Sequence, residues 1–350
     1  MKFGIGQSVP SSEDPRLITG GGQYTDDINR PNQRYIRILR SPYAHGLITE
    51  LDVTEAMTRP GVEAVYTAKD LQHLGGLPCR AALKNAKGEK AFIPHRPILA
   101  EDRVLFVGQA IAAVIAQTPE QAADAIEAIE LSVDDLPACA DLARALDPDT
   151  QPMHPGHSDN LCVHFEQGAA DAVDRALAAG DHVVRVSMVN NRVVPSPLEP
   201  RATLVEPQEN GFSIYNPSQG ALGQRAVLAN IFAMSSDQIR VISPDTGGGF
   251  GVRGEVHSEV CVAAHAAMAL GLPIKYTEIA RKCFSATITV ATISPMSVPA
   301  STRMARSLGF GLRPRRTLAP IAPTPAPLCP PWPAGVFWVP CTEFPMCIIR

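Results

Sequence analysis

Four glycines in five positions, with a phenylalanine set among them, constrain this chain more than any other feature: Gly247, Gly248, Gly249, Phe250 and Gly251. Upstream, the residues over 238–243 (QIRVIS) read as a strand; downstream, the alanine-rich period over 255–270, closed by Gly271, reads as a helix. Glycines where a strand turns into a helix let backbone N–H groups approach an anion closely, with pyrophosphate the obvious candidate. Gly249, Gly251 and Gly254 satisfy G-x-G-x-x-G literally, and Glu278 follows Gly254 by 24 residues, near where a Rossmann fold places its ribose carboxylate. That pattern implies an NAD(P)-binding oxidoreductase as one alternative. A tight turn that binds nothing is another. Phe250 argues against the dinucleotide, because its bulk would crowd the ligand.

Around this loop the pattern is mixed. Short β-type runs over 35–39, 62–67, 103–106 and 110–116 alternate with turns and two helical stretches, which predicts an α+β unit in the first part of the chain. The second of those helices is well signed: Thr118 as N-cap, Pro119 at the first position and Gln121 completing a capping box before Ala122, Ala123, Ile126 and Ile129. A Pro-, Asp-, Gly- and His-rich stretch over 148–159 marks a boundary or long connection. Beyond it the spacing predicts a helix over 169–179, strands over 182–189, 202–206 and 211–215, a helix over 219–232, and a strand over 273–278 after the glycine loop and its helix. This second part is α/β in character.

The bulk numbers exclude several classes. At 350 residues two or more domains are expected. A net charge of -4 gives no nucleic-acid bias. No apolar run approaches a membrane span and the N-terminus lacks a signal-peptide pattern, so a cytoplasmic location is expected. None of the eight cysteines forms a C-x-x-C pair, so no iron–sulfur cluster is expected in this chain. His154 and His157 have no third ligand nearby, and His257 and His265 share a helix face without one, so none is assigned to a metal.

Several separated strings then point one way: EDPRLITGGGQYTDDI at 13–28, RSPYAHGLI at 40–48, GVEAVYTAKDL at 61–71, PILAEDRVLFVGQAIAAVIAQTPEQAADA at 97–125, PLEPRATLVE at 197–206, NPSQ at 216–219 and GGGFGVR at 247–253. In this order they resemble the molybdopterin-binding large subunit of the xanthine dehydrogenase, aldehyde oxidase and carbon monoxide dehydrogenase family, with the carbon monoxide dehydrogenase-like branch nearest. The resemblance covers 7–278. It implies an N-terminal arm over 1–21, an a/b hammerhead domain over 22–134, a connection over 135–160, and over 161–278 the first part of an α/β molybdenum-cofactor-binding domain.

It also implies a function: oxidative hydroxylation of an aldehyde, an N-heterocycle or a similar substrate. The cofactor is molybdenum held by molybdopterin, in its cytosine dinucleotide form, so no side-chain metal ligands are expected. By position Gln219 matches the family glutamine that donates a hydrogen bond to an oxo group on molybdenum. Gly248, Gly249, Phe250 and Gly251 match the loop that borders metal and pterin. Glu199 and Arg201 read as a structural ion pair or as support behind the site. No catalytic residue is assigned: the family's substrate-side carboxylate is replaced by Gly254, and its C-terminal glutamate base lies outside the resemblance. The implied partners are an FAD-binding medium subunit and a [2Fe–2S] small subunit, in a homodimer of heterotrimers. A truncated, non-catalytic product is a further alternative.

From 279 to 350 the resemblance stops. Residues 280–350 hold twelve of the 32 prolines, four of the eight cysteines, both tryptophans and one acidic residue, Glu343. No helix or strand period is present, and a disordered, non-homologous tail is expected. A reading-frame shift near Ile279 is the sharper reading. Codons displaced by one base permit SEMF over 281–284 and LSDHHGRDHISDVSASLDKDGKVLGLR over 285–311, which has strand periodicity, an Asp-Gly turn and a likeness to the family's continuation. Sequencing the locus is expected to show a one-base slip near codon 279; an intact open frame would contradict the shift.

Overall fold

The computed structural model describes residues 11–279 apart from 80–83, 86–87, 142–143, 165–169 and 180–193, together with residues 6 and 8 and three two-residue strand segments beyond residue 295. The strand expected over 182–189 lies outside the described residues, as does the tail from 280 apart from those segments. The strands that position the site are β1 (Arg34–Arg40), β2 (Gly46–Asp52), β3 (Val62–Tyr66), β4 (Arg103–Val104), β5 (Ala110–Ala116), β6 (Glu130–Asp135), β7 (Leu161–Val163), β8 (Ala202–Gln208), β9 (Gly211–Tyr215), β10 (Ile239–Ile242) and β11 (Ile274–Thr277). The α-helices are α1 (Asp14–Ile18), α2 (Thr54–Thr58), α3 (Pro119–Glu127), α4 (Ala170–Ala178), α5 (Ala221–Phe232) and α6 (Ser258–Leu270).

Seven strands form one mixed sheet in the order β10-β9-β8-β11-β1-β5-β3. The two segments expected as separate domains therefore share a sheet. They meet where β1 runs parallel to β11, with Arg34 opposite Ile274, Tyr35 opposite Lys275 and Ile36 opposite Tyr276. The physical reason lies in those edges: Ile36, Ile274 and Tyr276 are all buried, so neither strand could end a sheet in water. A second sheet, β4-β2-β6, packs beside the first through Val104, Ile48, Leu131 and Val133.

β5 explains the layering. All seven of its residues are buried, and its side chains alternate between faces. Ala113 and Ile115 join the core built with α5 and α6, whereas Ala112, Val114 and Ala116 join the core under α3. Helix α3 starts as the sequence predicts: the Thr118 hydroxyl accepts from the Gln121 N–H at 3.2 Å, and the Gln121 amide oxygen accepts from the Thr118 N–H at 3.1 Å. Helix α6 is alanine-rich because it is nearly all buried, and Gly271 ends it in the left-handed conformation with φ 67. The expected start of this helix at 255 moves to Ser258, because Val252–Gly254 forms a separate 3-10 turn and Glu255 is extended.

Charges cross the junction between the two halves of the sheet. Arg201, just before β8, gives a bidentate pair to Glu278, just after β11, at 2.6 and 2.8 Å, and its Nε lies 3.3 Å from Glu259 of α6. Arg40 at the end of β1 reaches Glu259 at 3.4 Å, Glu278 at 3.5 Å and the Tyr276 hydroxyl at 3.2 Å. Burial alone would raise the Glu259 carboxyl, but Arg201 and Arg40 overcome it and hold the group down to about 2. Burial pushes the Tyr276 phenol well up, keeping it neutral.

The chain before β1 is tied to the same region. The buried Lys275 ammonium donates to the Asp26 carbonyl at 2.6 Å, the Ile28 carbonyl at 3.2 Å and the Asn29 side chain at 2.8 Å. Arg16 pairs in bidentate fashion with Asp245 at 2.6 Å in both contacts.

Removing one member of the cluster strands the others. Arg201→Met is expected to lower the unfolding free energy by about 3–5 kcal/mol at neutral pH in urea denaturation. Because the Glu259 value is depressed from 4.5, its contribution is present above that pH and is lost as pH falls toward 2. The difference between wild type and variant should therefore shrink on acidification; a difference independent of pH would contradict the account.

Candidate functional site

The glycine loop leaves β10 and turns through Gly248 at φ 103, Phe250 at φ 48 and Gly251 at φ 94. Gly248 takes a conformation that only glycine adopts without strain, whereas Phe250 is a bulky residue in left-handed space, held there by its neighbours. The residue is 69% exposed, and its ring lies over Gly248.

Three successive carbonyls of the loop are taken by donors from the protein. The Gly247 carbonyl accepts from Glu199 N–H at 3.4 Å, the Gly248 carbonyl from Arg253 Nε at 3.3 Å, and the Gly249 carbonyl from Val252 N–H at 3.0 Å. The peptides are trans, so the N–H in each plane points opposite to its carbonyl. The N–H groups of Gly248, Gly249 and Phe250 thus face away from these donors, and they have no partner among the described residues. Consecutive free N–H groups in an alternating αR/αL turn make an anion-binding concavity.

Gln219, between β9 and α5, supports the loop. Its side-chain oxygen accepts from Gly251 N–H at 2.9 Å and Arg253 N–H at 3.2 Å, and its backbone N–H donates to the Arg253 carbonyl at 3.1 Å. Both side-chain partners are donors, so the amide oxygen must face them and the NH2 group is left facing outward on an exposed residue. A Cβ at position 249 would sit 2.8 Å from the Gln219 amide carbon, so only glycine allows this approach. Gln219 and Gly248 to Gly251, singled out in the sequence, are therefore brought together in one place.

Buried polar groups lie behind the loop. Glu199 accepts from Gly247 N–H at 2.8 Å and from Arg253 at 3.2 Å. Burial pushes the Glu199 carboxyl up, against the pull of those partners. Arg253 is 3% exposed and also donates to the Glu199 carbonyl at 2.6 Å and the Pro200 carbonyl at 3.4 Å. His257 accepts from Arg201 through Nδ1 at 3.0 Å and donates from Nε2 to the Val252 carbonyl at 2.9 Å. Asn216 donates to the Gln224 side chain at 3.0 Å, and Gln224 donates to the Arg253 carbonyl at 3.1 Å.

Several expectations change. Glu199 and Arg201 do not pair with each other; Glu199 pairs with Arg253 and Arg201 with Glu278, because the chain between them passes from the loop side of the sheet into β8. The NAD(P) alternative loses its ribose carboxylate, since Glu278 is 4% exposed and bonded to Arg201. The loop also leads into a 3-10 turn rather than directly into a helix. His157 stacks on Phe92 with ring centroids 3.9 Å apart, and His265 packs edge-on against Tyr66. Among the described residues no group of three or more His, Cys, Asp or Glu could hold a metal.

Arg253 and Gln224 were missed as site residues. The string GGGFGVR carries Arg253 two positions past the loop, but nothing in the sequence says that its side chain folds back onto residue 248. Gly249→Ala is expected to push Gln219 off the loop at a cost of about 1–3 kcal/mol. In combination with Gln219→Ala the two costs should be well short of additive in a double-mutant cycle read by urea denaturation; full additivity would contradict the contact.

Comparisons with known proteins show what the chain is similar to. Residues 19–137 match the family model described as aldehyde oxidase and xanthine dehydrogenase, a/b hammerhead domain, and residues 153–293 match the molybdopterin cofactor-binding domain. The chain is 36% identical over 275 residues to the 6-hydroxypseudooxynicotine dehydrogenase complex subunit gamma of Paenarthrobacter nicotinovorans, covering 78% of this chain and 34% of that protein. It is 34% identical over 285 residues to the carbon monoxide dehydrogenase large chain of Hydrogenophaga pseudoflava, covering 77% and 34%. The solved structure of reconstituted CO dehydrogenase from Oligotropha carboxidovorans superposes with a TM-score of 0.74 at 29% identity, covering 85% of this chain and 38% of that one. The chain thus spans about a third of the length of the curated relatives it matches. With both segments and the shared fold in agreement, the chain belongs to the xanthine dehydrogenase, aldehyde oxidase and carbon monoxide dehydrogenase family of molybdopterin-binding large subunits.

Proposed function

We propose that these residues are the cofactor-contacting part of a molybdenum-dependent hydroxylase or dehydrogenase of the carbon monoxide dehydrogenase-like branch. The observation that carries the proposal is the donor set: three N–H groups at 248–250 and the outward NH2 of Gln219, with no acceptor among the described residues to satisfy them. Oxo and phosphate oxygens are acceptors that cannot donate back, so a molybdenum–pterin group fits donors of this kind. The pterin holds the metal, which agrees with a site built of amides rather than of ligating side chains.

When bound, the cofactor would supply the redox centre for oxidative hydroxylation of an aldehyde, an N-heterocycle or a similar substrate. This chain's own share is positional. Gln219 would donate through Nε2 while its oxygen keeps the loop closed, and Gly248, Gly249 and Phe250 would donate from the backbone. The exposed Phe250 ring would wall the site with apolar surface. None of these residues takes or gives a proton in the reaction, and no catalytic base is assigned within 1–350.

The finer reading follows the family. We assign the arm to 1–21, the hammerhead domain to 22–134, the connection to 135–160 and the first part of the cofactor domain to 161–278. The cofactor is the cytosine dinucleotide form of molybdopterin; the partners are an FAD-binding medium subunit and a [2Fe–2S] small subunit in a homodimer of heterotrimers; and the location is cytoplasmic. Among the described residues no helix is long and apolar enough to cross a membrane. Because the chain spans 34% of its relatives, turnover is proposed for the longer subunit, and for these residues alone a folded product that contacts cofactor without turnover is the second reading.

Protein purified from a host that makes molybdopterin should contain molybdenum and pterin in equal amounts by metal analysis and pterin fluorescence. Gln219→Ala should lower both about ten- to hundredfold. Reproducible absence of both from matured wild-type protein would overturn the proposal.

A further inference from the structure

We infer that Arg253 is a positioning residue for the glycine loop, setting which way its amides face. Three carbonyls must point into the protein for the N–H groups of 248–250 to point out. Two of them are held by backbone donors that any sequence would supply, Glu199 N–H on Gly247 and Val252 N–H on Gly249. The middle one, on Gly248, is held by a side chain, Arg253 Nε at 3.3 Å. The Gly248–Gly249 peptide lies between two glycines, with Gly248 at φ 103, so no Cβ on either side restricts its rotation.

The guanidinium is itself fixed. It is 3% exposed, and it bonds the Glu199 carbonyl at 2.6 Å, the Pro200 carbonyl at 3.4 Å and the Glu199 carboxylate at 3.2 Å. One planar fork thus ties the 199–200 segment to residue 248, a task that a lysine's single point charge cannot perform. In turn the Arg253 N–H is taken by Gln219 and its carbonyl by Gln224 and the Gln219 N–H, so side chain and backbone of one residue hold both halves of the donor set. The consequence for cofactor rests on the reading of this loop as the cofactor's border; the consequence for the loop does not.

The test compares Glu199→Gln with the double variant Glu199→Gln/Arg253→Met, so that no buried carboxylate is left without its partner. Thr118→Ala, which removes the cap of α3, serves as a variant of lowered stability away from the loop. In cofactor-free protein labelled with 15N-glycine, the Gly249 amide resonance should move on adding Arg253→Met and stay in place in Thr118→Ala. In protein from a molybdopterin-making host, the double variant should hold about ten- to hundredfold less molybdenum and pterin per folded chain than the Glu199→Gln background. Arg253→Lys in the wild-type background should not restore the wild-type Gly249 resonance. A Gly249 resonance unmoved by Arg253→Met in folded protein overturns the inference whatever the cofactor content. If wild-type protein holds no molybdenum, the proposed function fails and the resonance alone decides the role of Arg253.

Discussion

Arg40, Arg201, Glu259 and Glu278 meet where no side chain of the four is more than 10% exposed, and they come from the end of β1, the residue before β8, α6 and the residue after β11. Two positive and two negative charges balance, so the group is tolerable in a dry interior only when complete. It sits at the β1–β11 seam, where strands from the two segments that the sequence reads as domains share one sheet. It also reaches the site. Arg201 bonds His257, and His257 bonds the Val252 carbonyl, immediately behind the glycine loop.

The loop itself shows how a site can be made almost without side chains. Its three inward carbonyls are satisfied by the protein, and planarity of the peptide turns the attached N–H groups the other way. Glycine at 249 admits Gln219 close enough to lock the far end of the turn, and the same contact fixes which end of the Gln219 amide faces out. The donors are thereby arranged before any ligand arrives, and their cost is carried by burial and bonding behind the loop.

Much of this was legible in the sequence. β5 was bounded correctly from seven consecutive apolar residues, and α3 from its capping box, because both signals are local. Gln219 and the glycine run were found through motif order, and the structure places them in contact. Other features depend on tertiary pairing. β2 shows a weak burial alternation and earns its strand form from β6 and β4, so its seven residues carry no strong signal of their own. The partners of Glu199 and Arg201 could not be read from PLEPRA, because adjacent charges in sequence diverge once the chain enters β8. Glu278 resembled a ribose carboxylate by spacing and proved to be an ion-pair partner; distance along the chain does not report what faces it.

The central claim is that the amides of Gly248, Gly249 and Phe250 are kept free by the fold so that the molybdenum–pterin cofactor can accept from them. Hydrogen exchange of these three amides, compared between cofactor-free and cofactor-loaded protein, tests it most directly. The account predicts fast exchange in the cofactor-free protein and marked slowing on loading; slow exchange in both states, or fast exchange in both, would contradict it.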